Sequence, residues 1–261
     1  MPWSVVNDGS GFPRIILTEP TGSSAEVYLH GGQVVSWKNQ RRQELLFMSS
    51  KAVVKPTKSI RGGIPICFPQ FGNMGSLEQH GFARNRLWEL DSSSSPPTTS
   101  KSQSSVDIIL KSTDDDLKTW PRSEVRVEGL ETLDYLDNLE GKERFTEQTD
   151  AVTFDGEVDR VYLSTPSKIA VIDHERKRTL ELRKQGFPDA GVWNPWEKKA
   201  KSLADFGDED YMSMLCVDSA VVETPIVLKP DEEWTASQEL SIVGSSYFSG
   251  QLDPRRVLLG Q

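Results

Sequence analysis

Apolar positions along this chain fall in short runs, not at helical spacing. RIILTEP, VYLHGGQVVSWKN (Val27–Asn39), VDIILKS, DRVYLST, KIAVIDH, TLELRK, AVVETPIVLKP and EWTASQELSIV are rich in β-branched and aromatic residues. Gly and Pro punctuate them. Each run reads as a strand, and the double glycine inside Val27–Asn39 reads as a turn between two of them. Long amphipathic helices are absent from the pattern; DEDYMSMLCV could supply a short one. The pattern predicts an all-β sandwich or barrel rather than alternating βαβ units. The stretch SSSSPPTTSKSQSS, residues 92–105, is too polar to pack and reads as a low-complexity loop joining the strands WELD and VDIIL. No internal repeat of fixed period is present. The acidic triplet Asp114–Asp116 reads as a solvated loop. The whole chain, 1–261, is expected to form a single domain.

Composition narrows the partners. A net charge of -9 and a pI near 5.0 speak against nucleic acid. No apolar run approaches the roughly 20 residues of a membrane span, and the first residues carry no signal-peptide pattern. A cytoplasmic, monomeric protein is the expectation. Cys67 and Cys216 lie in apolar runs and read as buried thiols. Neither a disulfide framework nor a metal site is expected, because both need more Cys or His at short spacing.

Candidate chemistry concentrates in the first third of the chain. RGGIPICFPQFG (Arg61–Gly72) and QHGFAR (Gln79–Arg84) bring two arginines, a glutamine and a histidine close in sequence, with glycines and prolines turning the chain between them. Two guanidinium forks suit a phosphate or carboxylate. Arg61 precedes Gly62 and Gly63, which permit close backbone approach to a ligand; the alternative is a surface arginine beside a turn. Arg84 is the candidate second anion contact, Gln79 a donor to a sugar hydroxyl, and His80 either a ligand contact or a packed ring. Asp159, at the entrance of the strand VYL, can accept two sugar hydroxyls or simply serve a turn. The tryptophans of VWNPWEKK offer faces for a sugar ring, or core packing. In MLCVDSAVVETP, Asp218 follows an apolar strand, where burial favours a raised pKa and a general base; Glu223 is the second candidate. His30 reads as turn packing and His174 as an exposed strand end.

These motifs, together with EVRVEGLETLDYLDN, RFTEQTDAVTF, DHERKR and the terminal SGQLDP, resemble the glucose-6-phosphate 1-epimerase (hexose-6-phosphate mutarotase) family, most closely its plant branch. The resemblance covers most of the chain. It implies a galactose-mutarotase-like β-supersandwich that interconverts the α and β anomers of hexose 6-phosphates without a cofactor. It implies Arg61 and Arg84 at the phosphate, Gln79, His80 and Asp159 at the sugar, and Asp218 as the carboxylate that removes the anomeric proton. The resembling family also uses a histidine, from a segment like FAYHTYF, to protonate the ring oxygen. This chain has no such segment: DLKTWPRS passes directly into EVRVEGLETLDYLDN, and no histidine occurs between His80 and His174. An internal deletion joined near Ser123 is the simplest reading, with central strands missing, exposed sheet edges and a weakened core. Two functions follow as expectations: a mutarotase crippled by loss of its acid, or a non-catalytic sugar-phosphate-binding protein.

Overall fold

The computed structural model describes residues 3–55, 57–73, 75–91, 105–111, 134–147, 156–173, 178–229 and 232–244. Most of the low-complexity loop, the acidic triplet, the join near Ser123 and His174 lie outside the described residues. The chain divides into two compact units, one of Met1–Glu124 with Glu197–Met214, the other of Val125–Trp196 with Leu215–Gln261.

In the first unit, β1 (Trp3–Asn7), β2 (Pro13–Thr18), β3 (Ser24–Tyr28) and β4 (Gln33–Lys38) form an antiparallel meander in that order. Because successive side chains point to opposite faces, neighbours on one strand bury on different sides. Ile15, Val27 and Leu29 pack with Trp3, Leu17 and Val34. Tyr28 and Val35 pack with Ile60 and Met48. The expected double-glycine turn joins β3 to β4, with Gly31 and Gly32 at φ 78 and 58. A Cβ on Gly31 would stand 2.7 Å from the Arg84 carbonyl oxygen, and the Gly31 N–H donates to the Arg86 carbonyl at 2.7 Å. The turn therefore braces the segment that carries Arg84. The strands expected on either side of the low-complexity loop do pair, as β5 (Glu89–Leu90) and β6 (Ile108–Ile109).

The second unit holds a five-stranded sheet in the order β13-β12-β9-β7-β8 and a three-stranded sheet in the order β10-β11-β14. The first contains β7 (Asp134–Asp137), β8 (Glu143–Thr146), β9 (Val158–Tyr162), β12 (Asp189–Asn194) and β13 (Cys216–Ala220); the second contains β10 (Lys168–Asp173), β11 (Arg178–Gln185) and β14 (Ser237–Gly244). Val158, Tyr162, Ala190 and Val192 from the larger sheet bury against Ile169, Leu182 and Leu240 from the smaller.

Three expectations need correction. AVVETPIVLKP is not a strand beyond Ala220. The buried Asp189 carboxylate takes the N–H groups of Val222 (2.6 Å) and Glu223 (2.8 Å), which a ladder would otherwise use, and Val227 is 84% exposed, so no burial favours extension there. DEDYMSMLCV supplies only a 3-10 turn, Asp210–Ser213, while an unforeseen short helix, Trp196–Ser202, opens where the Asn194 side chain accepts the Trp196 N–H at 2.9 Å. Cys67 and Cys216 are half-buried, not fully buried. Among the described residues no helix is long and apolar enough to cross a membrane.

Candidate functional site

The first unit builds a cationic cluster. Gln33 is fully buried, and its amide donates to the carbonyls of Ile60 and Gly62, which holds the loop on either side of Arg61. Gly62 and Gly63 serve this packing rather than leaving room for a ligand: a Cβ on Gly62 would lie 2.6 Å from the Phe47 carbonyl oxygen, and one on Gly63 only 2.1 Å from that of Val34. The Arg61 guanidinium makes a two-point pair with Asp205, Nε to Oδ2 at 3.2 Å and Nη2 to Oδ1 at 3.1 Å. Arg84 lies on the 3-10 turn Ala83–Asn85. Its Nη2 donates to the Gln79 carbonyl at 2.7 Å, while its Nε is buried without a hydrogen-bond partner. Burial, with the positive charge of Arg61 among the lesser causes, pushes the Arg84 pKa down, yet a guanidinium stays charged at any physiological pH. No carboxylate pairs with Arg84 among the described residues.

His80 is fixed by its own loop. It adopts φ 65, its backbone N–H donates to the Gly72 carbonyl, and the Gly72 N–H donates to its Nδ1 at 3.1 Å. A ring that accepts at Nδ1 carries its proton on Nε2. Burial, followed by the charges of Arg84 and Arg61, lowers the His80 pKa to about 4. The ring is therefore neutral at pH 7, a hydrogen-bond donor but not an imidazolium. The bend at Gly81 is obligatory, because a Cβ there would meet the Phe68 carbonyl oxygen at 2.2 Å. Gln79 contributes its carbonyl to Arg84, and its side chain is exposed.

The second unit carries the carboxylates. Asp218 lies on β13 and Asp159 on β9, the two edges of a three-strand stretch centred on β12. Desolvation raises the Asp218 pKa; the Cys216 thiol, which donates to Oδ1 at 3.2 Å and Oδ2 at 3.3 Å, opposes this; and the charge of Asp159 adds to it. The Asn138 amide donates to Asp159 Oδ1 at 2.7 Å. Arg160, on the opposite face of β9, ties this strand down through Asp137 and Glu147, both at 3.4 Å, with its guanidinium 4.5 Å from the Tyr135 ring centroid. Glu223, the second candidate base, is exposed and paired with Arg144 at 2.9 Å.

Within each unit the structure brings candidates together: Arg61, His80 and Arg84 in the first, Asp159 and Asp218 in the second. The sequence reading missed Asp205 and Cys216 as their partners. The i, i+2 spacing of Cys216 and Asp218 on a strand is a signal that could have found the second. Asp205 has no local signal, since it meets Arg61 across 144 residues.

The aldose 1-epimerase family profile matches residues 13–123 and 113–241, two stretches that overlap at 113–123. A protein of Cenchrus ciliaris with the provisional description glucose-6-phosphate 1-epimerase is 51% identical over 304 aligned positions, covering 98% of this chain and 92% of that protein. Against a chain of 261 residues, that alignment leaves at least 43 positions of the relative without a counterpart here. An Escherichia coli protein with the same provisional description is 27% identical over 82% of this chain and 86% of its own length. A crystal structure of a provisionally assigned mutarotase from Salmonella typhimurium superimposes with a TM-score of 0.73 at 21% identity, covering 92% of this chain and 97% of that one. The chain belongs to the aldose 1-epimerase family and has the all-β sandwich fold of the mutarotases.

Proposed function

We propose that this chain binds hexose 6-phosphates through Arg61 and Arg84 and retains Asp218 as the base of an anomer-interconverting site, but lacks the general acid needed for efficient turnover. The observation that carries the binding half is Arg84: a half-buried guanidinium with no carboxylate partner among the described residues, beside a second arginine. The charges of Glu78 and Asp205 offset part of its desolvation without pairing with it, and an incoming phosphate adds direct charge-assisted bonds. Neutral His80 adds a donor from Nε2. The plant relative's description names the same class of substrate.

Anomer exchange requires a base to take the proton of the anomeric hydroxyl while the bond from C1 to the ring oxygen breaks. The ring oxygen must then receive a proton. Asp218 suits the first step because its pKa is raised. For the second step His80 is a poor donor: with a pKa of about 4 it has no imidazolium proton to give at pH 7. His30 is buried with Nε2 bonded to the Lys58 carbonyl at 2.7 Å. The reading that a segment bearing the acid is missing draws support from the break of the family match at 113–123 and from the unmatched positions of the plant relative. Loss of one positioned acid typically costs ~10²–10⁴ in rate.

Calorimetric titration tests the binding half. Glucose 6-phosphate is expected to bind and free glucose to bind far more weakly, with Arg84→Ala weakening the phosphate ester by about 1.5–3 kcal/mol, the usual worth of a charge-assisted bond. Equal affinity for both sugars, or an unaffected Arg84→Ala, would overturn it.

A further inference from the structure

Ser49 ties two distant parts of the first unit together. Its N–H donates to the Arg61 carbonyl at 3.2 Å, and its hydroxyl donates to the Asp205 carbonyl at 3.0 Å. The Gly207 N–H donates in turn to the same hydroxyl oxygen at 3.2 Å. Ser49 itself is buried. Gln33 holds the carbonyls on either side of Arg61. Phe206, fully buried with its ring centroid 5.8 Å from that of Phe47, anchors the residue after Asp205. The two backbones are therefore set independently of the contact between their side chains.

Asp205 takes the Nε and Nη2 edge of Arg61, and Nη1 has no hydrogen bond among the described residues. Stability does not account for this contact. The two side chains are 31% and 40% exposed, and exposed ion pairs contribute little. At 3.2 and 3.1 Å the bonds are also longer than the about 2.7–2.9 Å of strong charge-assisted ones. Positioning does account for it. An arginine side chain is long and flexible, and ordering it when a ligand arrives lowers affinity. A carboxylate that holds the Nε edge removes that cost and leaves the Nη1 donors for an anion. The same carboxylate favours the charge on Arg84 without bonding to it, which offsets the repulsion between the two guanidiniums.

We propose that Asp205 is a positioning residue: through its two bonds to Arg61 it presets that guanidinium for the phosphate of the sugar, without touching the ligand itself. The proposal rests on reading Arg61 as a phosphate contact. If Asp205 instead blocked Arg61 and had to be displaced, removing it would strengthen binding.

The test is calorimetric titration with glucose 6-phosphate of the full chain, Asp205→Ala, Arg61→Ala and the double variant. Removing a carboxylate also removes a repulsion felt by any anion, so the titrations run through a series of rising salt, which screens that general term. Asp205→Ala is expected to bind roughly two- to tenfold more weakly than the unaltered chain, the cost of ordering one long side chain, and the loss should persist as salt rises. In the Arg61→Ala background the same change should cause no further loss, because Asp205 acts through Arg61; a general disturbance of the fold would weaken binding in both backgrounds. The circular dichroism spectrum of Asp205→Ala should be unchanged, since the anchors at Ser49 and Phe206 remain. If glucose 6-phosphate binds the unaltered chain but Asp205→Ala binds it as tightly or more tightly throughout the series, or weakens it equally without Arg61, the positioning role is overturned while the sugar-phosphate reading stands. If the unaltered chain does not bind it at all, both fall together.

Discussion

The thiol of Cys216 donates to both oxygens of the Asp218 carboxylate, at 3.2 and 3.3 Å, from two residues upstream on the same face of β13. Desolvation raises the Asp218 pKa, the thiol restrains that rise, and Asp159 adds to it. Cys216→Ala removes the restraining donor, so the Asp218 pKa is expected to move further up; Cys216→Ser, which keeps a donor, should hold it. A carboxyl-carbon NMR titration of the three proteins reads this directly. An unchanged Asp218 titration in Cys216→Ala would show that the thiol does not contribute.

Asp218 also sets a relation between stability and pH. Its folded-state pKa lies above the unfolded value of about 3.8, so the folded state holds the proton more tightly. The stabilisation is complete below the unfolded pKa and is lost as pH rises through the folded one. At pH 7 the charged, desolvated carboxylate disfavours folding. Asp218→Asn should therefore raise the melting temperature at pH 7 and leave it nearly unchanged at pH 3, while removing the base. A melting temperature lowered at pH 7 would contradict this.

His80 gives the opposite slope. Its pKa falls from 6.5 in the unfolded chain to about 4 when folded, so its contribution is complete above pH 6.5 and is lost as pH falls toward 4. The difference corresponds to roughly 3 kcal/mol as an upper bound. Asn tolerates the left-handed backbone at this position and can accept the Gly72 N–H. His80→Asn should flatten the dependence of unfolding free energy on pH between 4 and 6.5, measured by urea denaturation. An undiminished slope would place its origin elsewhere.

Asp189 holds the chain beyond β13. Fully buried, it accepts the N–H groups of Ser164, Val222 and Glu223. Asp189→Ala orphans these donors, at about 1–3 kcal/mol for each one left buried. A loss of several kcal/mol in a chemical denaturation series is expected, and a loss under 1 kcal/mol would mean that water replaces the carboxylate.

What the sequence disclosed followed the range of the interactions. The β3–β4 hairpin was legible because Gly31 and Gly32 mark its turn locally, and the β5–β6 pair because two apolar runs bracket a polar segment. The runs that became β2, β9, β10, β11 and β14 carry the β-branched residues that a pleated, half-buried surface favours. The stretch after Ala220 looked equally suitable, but Asp189 captures its backbone donors from 33 and 34 residues away, and nothing local records that. Asp205 was invisible as the partner of Arg61 for the same reason. The row that Cys216, Trp193 and Asp159 form across β13, β12 and β9 needs the strand register, which hydrophobic pattern alone leaves open. Gly62 and Gly63 were read as room for a ligand because a glycine's freedom is evident in sequence, while the strand backbone it accommodates is not.

The most direct measurement is magnetisation-transfer NMR of the two anomers of glucose 6-phosphate, with and without the purified chain and its Asp218→Asn variant. Binding without turnover should leave anomer exchange near the buffer rate while the protein's resonances shift with added sugar phosphate, in the unaltered chain and the variant alike. Exchange accelerated by orders of magnitude in the unaltered chain, and abolished by Asp218→Asn, would contradict the claim that the general acid is missing.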